Sequence, residues 1–170
     1  MSWKIKEIKK IKAKESLILE GLPGIGNVGK IAIDFLIENL DAQKIYEMSS
    51  IDLPPYVFVD ENYLVELPKI EVFHKKIKGQ DIMFISGDAQ PTDERAINEL
   101  CIELIKIIKK HTGKEIVTLG GIGLDEVPNK PKVYCCGNRK IIINEFKKLG
   151  VKNTREIMGP IIGVSGVLVG

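Results

Sequence analysis

Apolar and polar positions follow two rhythms along this chain. Short apolar runs stop abruptly at glycines, and longer stretches between them repeat at helical spacing. Residues 16–20, SLILE, form an apolar run that ends at Gly21 and predict a buried strand. Beyond a glycine-rich loop, residues 26–40 are apolar on most sides and predict a helix packed tightly on a sheet. Residues 44–48 predict a second strand. Residues 57–75 then carry short β-type runs broken at Asp60-Glu61-Asn62 and at Pro68-Lys69, so a hairpin or meander is expected there. Residues 81–86, DIMFIS, predict a strand closed by Gly87.

The strongest helical pattern runs from Thr92 to Lys110. Ala96, Ile97, Leu100, Cys101, Leu104, Ile107 and Ile108 trace one stripe. Thr92 is the expected N-cap, Asp93 and Glu94 suit the first turn, and Gly113 suits the C-terminal cap. Strands are expected over 115–119 and 132–136. Asn138 is expected to cap a helix that runs to Leu149 and stops at Gly150. Strands alternating with helices predict a layered α/β fold, and the hairpin makes its sheet mixed. No repeat or linker divides the chain, so residues 1–170 read as a single domain with a Lys-rich edge segment over 1–14. The last loop, Gly159 to Val167, opens a helix just before Gly170. Either a truncated chain or an end stabilised by another subunit is expected from that.

Composition changes this picture little. The 170 residues are 44% hydrophobic and 28% charged, with a net charge of +2, which gives no reason to expect nucleic acid as a partner. The N-terminus is too charged for a signal peptide and no apolar run has the length of a membrane span, so a soluble cytoplasmic protein without a membrane partner is expected. Cys101, Cys135 and Cys136 lack C-x-x-C spacing and read as small core residues.

Candidate chemistry concentrates at the glycines. Gly24 to Gly29 spells G-x-G-x-x-G after a strand and before a helix, with Glu47 or Asp52 at the distance of a ribose-binding acid. The hairpin where another crossover should follow, and Pro23 before the turn, argue against a dinucleotide fold. The competing explanation is close strand-to-helix packing. Gly24 to Lys30 nearly matches a P-loop, but Ile31 replaces the magnesium-binding Ser or Thr, so that reading fails. If the glycine-lined sheet edge holds a phosphate, nucleoside or nucleotide, Gly24, Gly26, Asn27, Asp88 and Gln90 are the residues expected to hold it. Ser165 lacks the spacing of a nucleophile elbow and reads as a helix cap. His74 and His111 lack metal-ligand spacing, with His111 placed where a helix dipole favours a cation. No base, nucleophile and orienting group come together, so no catalytic residue, metal or cofactor is assigned and a non-enzymatic role is favoured. The segment Leu53-Pro54-Pro55-Tyr56 is a candidate partner interface, since its prolines cannot join a sheet interior.

The glycine loops also have an order. Glu20 to Gly29 (EGLPGIGNVG), Gly87-Asp88-Ala89-Gln90-Pro91, Leu119-Gly120-Gly121 and Gly163-Val164-Ser165-Gly166 together resemble the archaeal and bacterial branch of the proteasome assembly chaperone family, from about residue 14 onward. That resemblance implies a three-layer α/β/α sandwich similar to nucleoside phosphorylases, with a mixed sheet. It also implies homo-oligomers and, as in archaeal relatives, binding to proteasome α subunits to assist assembly or activation. Some members dock through a tail of hydrophobic residue, tyrosine and any residue, where this chain reads Leu168-Val169-Gly170.

Overall fold

The computed structural model describes residues 3–124, 126, 129–151 and 159–170. In chain order the elements are β1 (Trp3–Glu7), β2 (Leu17–Glu20), a 3-10 turn (Ile25–Asn27), α1 (Val28–Asn39), β3 (Gln43–Ser50), β4 (Phe58–Val59) and β5 (Val65–Glu66). They continue with β6 (Ile70–Ile77), β7 (Gln80–Gly87), α2 (Glu94–Lys110), β8 (Glu115–Thr118), α3 (Lys140–Lys148) and α4 (Val164–Val169). The main sheet has the order β1-β3-β6-β7-β2-β8, with β4 and β5 forming a separate two-stranded ribbon. β2 runs parallel to β7 and to β8, whereas β1, β3, β6 and β7 pair antiparallel in succession. The sheet is therefore mixed, and the 57–75 region ends in a strand that belongs to its middle.

Strand alternation assigns the layers, because successive side chains face opposite sides. Ile18, Met83 and Ile85 share one buried cluster with Leu100 and Leu104 of α2 and with Val164 and Leu168 of α4. On the other face Ser86 donates to Asp34 of α1, two strand positions after the buried Phe84. Helices thus cover both faces of the sheet, α2 and α4 on one and α1 on the other, which gives the α/β/α arrangement. The deeper core lies under α2, whose stripe buries Ala96, Leu100, Cys101, Leu104, Ile107 and Ile108.

Several expectations change locally. Asp93, not Thr92, caps α2, its carboxylate accepting from Ala96 N at 3.0 Å. The helix closes through His111 and Thr112, the latter taking φ +49°. Gly113 is needed for contact instead, since a Cβ there would lie 2.3 Å from Ile108 Cγ2. Residues 132–136 make no strand beyond a bridge at Tyr134, so Cys135 is half-buried and Cys136 exposed; of the cysteines only Cys101 is in the core. Among the described residues no strand of either sheet pairs with that run. Asn138 does not cap α3. The cap position is Arg139, and Asn138 Nδ2 donates to Val169 O at 3.3 Å. β1 was not foreseen as a strand. The alternation in WKIKE pairs it along β3, from Trp3 opposite Ser50 to Glu7 opposite Tyr46.

Candidate functional site at the glycine-loop edge

The carboxyl ends of β2, β7 and β8 bring the glycine loops together, and backbone contact is the reason for the glycines. A Cβ on Gly29, in the first turn of α1, would lie 2.0 Å from Leu119 O at the end of β8. A Cβ on Gly121 would lie 2.1 Å from Ile25 O in the 3-10 turn. No side chain fits at either place without moving backbone. The start of α1 is thereby pressed against the chain leaving β8.

Gln90 binds the same corner from a third direction. Its Nε2 donates to Pro23 O, and its Oε1 accepts from Val164 N at 3.2 Å, joining the first glycine loop to the start of α4. Asp88 turns elsewhere. Its carboxylate accepts from Lys69 N at 3.1 Å and its amide donates to Lys69 O at 2.9 Å, so it clamps the chain entering β6. Gly24, Gly26 and Asn27 lie exposed in the loop and the 3-10 turn, with Gly26 and Asn27 both at positive φ. Of the five expected ligand residues, the structure brings Gln90 to the first glycine loop and ties Asp88 to Lys69.

Sequence reasoning missed the buried acid beneath this corner. Glu20 ends β2 with no solvent exposure. Its Oε1 accepts from Leu22 N at 3.1 Å, and Ser165 Oγ lies 2.9 Å from Oε2 and 3.2 Å from Oε1. Ser165 is consequently inside α4 and bonded to Glu20, not its cap; Gly163 holds that position. Burial pushes the Glu20 carboxyl up to about 7, against which the Ser165 and Leu22 hydrogen bonds act. The Cys101 thiol is pushed up to about 11, first by burial and then by Glu20. The signal was present: Glu20 shares strand parity with Ile18, so a core position for one implies the same for the other.

A second polar cluster lies at the other end of α2. Tyr46 OH is 2.9 Å from His111 Nε2 and 3.3 Å from Glu7 Oε1, while Lys110 Nζ is 3.0 Å from Glu7 Oε2. Buried His111 has its pKa lowered, by desolvation first and by Lys110 second, so the helix end does not favour a cation here. His74 pairs with Asp81 at 2.8 Å.

The acid expected for a dinucleotide site is in the wrong place. Glu47 and Asp52 belong to β3 and the turn after it, and β6 and β7 stand between β3 and β2. A strand that does not follow β2 in space cannot present a ribose-binding acid to the first glycine loop. At the candidate interface Leu53 is buried, Pro54 half-buried, and Pro55 and Tyr56 exposed. Apolar exposure continues well past it, through Ile51, Val57, Phe58, Val59, Tyr63, Leu64, Val65 and Leu67.

Fold and corner together define a mixed-sheet α/β protein whose loop edge is closed by its own backbone contacts and side-chain hydrogen bonds. The sequence model of the PAC2 family matches residues 18–170, and the chain belongs to that family. It is similar to Pyrococcus furiosus PbaB, described as an archaeal proteasome activator, with a TM-score of 0.91 and 29% identity over 98% of this chain and 73% of that one. It is also similar to Pyrococcus furiosus PbaA, described as an archaeal homolog of proteasome-assembly chaperone. There the TM-score is 0.80 and the identity 25%, over 99% of this chain and 66% of that one. An uncharacterized protein of Methanocaldococcus jannaschii is 28% identical over 165 residues, covering 97% of this chain. This chain spans 62% of that relative's length.

Proposed function

We propose that this chain acts as a non-enzymatic, self-associating chaperone or scaffold that binds proteasome α subunits in the cytoplasm and assists their assembly or activation. The observation that carries this reading is the likeness to PbaB over nearly the whole of this chain. The glycine edge supports it, because Gly29, Gly121 and Gln90 fill that edge with internal contacts. The partner surface in this reading is the apolar segment from Ile51 to Leu67, which includes Pro55 and Tyr56 and projects as the β4–β5 ribbon. Exposed apolar groups of this density mark interaction surfaces in folded proteins. Native co-purification with the host's proteasome α subunits tests the proposal. Recovery of the chain with free or assembled α subunits is the expected result, and binding to neither overturns it.

A further inference from the structure

We propose that Glu20 is a proton-operated latch on α4: protonated, it holds Ser165 and the helix against the sheet; ionised, it releases them. This inference concerns the corner itself and stands independently of the partner proposed above. Its basis is a fully buried acid with no cation beside it among the described residues. Ser165 Oγ faces it from α4, the Leu22 amide from the adjoining loop, and the Cys101 thiol from α2. Ile85 of β7 and Thr118 of β8 are its register neighbours. None of these groups carries a positive charge, and the Cys101 thiol stays neutral.

The protonated acid meets both of its partners. The acid's carbonyl oxygen takes the Leu22 amide and its O–H pairs with Ser165 Oγ, so no charge is buried. Ionisation sends the proton to solvent and leaves a carboxylate with one hydroxyl and one amide. A buried carboxylate without a cation is strongly unfavourable, and admitting water relieves it. Burial holding the carboxyl near neutrality supports the same conclusion.

α4 is the cover that can move without breaking the sheet, being seated by the side chains of Val164 and Leu168, whereas β7 and β8 pair with β2 over all four of its residues. Among the described residues its remaining polar ties are Val164 N to Gln90, Asn138 Nδ2 to Val169 O and the Cys101 thiol to Val164 O at 3.9 Å. Because Gln90 also holds Pro23 O, lifting α4 loosens the first glycine loop as well.

Amide hydrogen exchange of the full chain across pH 5.5–8.5, corrected for intrinsic exchange, reads the latch directly. The wild type should lose protection at Val164 and Val167 by about tenfold per pH unit from pH 5.5 toward 7 and level off above it, while β6 and β7 amides hold theirs. Glu20→Gln should abolish that dependence and keep α4 protected throughout. Protection of α4 that does not change with pH in the wild type overturns the proposal, and so does an unchanged slope in Glu20→Gln. A carbon-13 titration of the wild-type Glu20 carboxyl needs no variant. A midpoint near 7 shared with α4 shifts supports the latch, and one near the ordinary glutamate value overturns it.

Discussion

Gly24, in the loop, and Gly29, five residues on in the first turn of α1, answer to different constraints. At Gly29 a methyl group would meet Leu119 O, whereas at Gly24 nothing lies within 4 Å of a built Cβ. Gly29→Ala is therefore expected to cost roughly 1–3 kcal/mol or more, and Gly24→Ala to cost less, in urea unfolding of the two variants. Glu20 and His111 set opposite pH dependences. The Glu20 pKa is raised from 4.5 to about 7 on folding, so its contribution is complete below pH 4.5 and is lost as pH rises through 7. That loss amounts to about 3 kcal/mol, and Glu20→Gln should remove it. His111 has a folded pKa below 6.5, so its contribution is complete above 6.5 and is lost as pH falls toward the folded value. Denaturation midpoints measured from pH 4 to 8 for the wild type, Glu20→Gln and His111→Gln separate the two. Both groups were readable as residue types in the sequence. Strand parity with Ile18 points Glu20 at the core, but the partners that enclose the two groups, on α4 and β3, arrive from far along the chain.

At the level of elements, α2 shows what local pattern can and cannot decide. Its apolar stripe was legible and lies against the sheet as spacing requires. The cap was misplaced by one residue, since both Thr92 and Asp93 are competent and only backbone geometry separates them. Asp93→Ala should cost about 1 kcal/mol, and Thr92→Ala much less, by the same unfolding measurement. Residues 132–136 make the opposite point. An apolar run of strand length becomes a strand only beside a free strand edge, and the described chain offers it one bridge. β1 succeeds with weaker credentials because β3 presents eight residues of edge to it.

For the whole molecule, the expected partner surface and the stability of the fold should separate. Tyr63 is 89% and Val65 67% exposed, so neither belongs to the core. Replacing both with Ser should weaken co-purification with α subunits at least tenfold while shifting Tm little. Retained binding by that variant would move the interface off the ribbon. Among the described residues no helix is long and apolar enough to cross a membrane.

The chain by itself determined the layered α/β class, the mixed sheet and the ordered glycine loops that carry its family likeness. These follow from periodicity and from residue types whose backbone demands are local. Tertiary structure alone decided that β3 lies three strands away from β2, which removes the dinucleotide arrangement that G-x-G-x-x-G invited. It also decided that Glu20 meets Ser165 across 145 residues of sequence. Strand order and long-range contact depend on which elements pack together, and that is a property of the folded whole and not of any stretch within it.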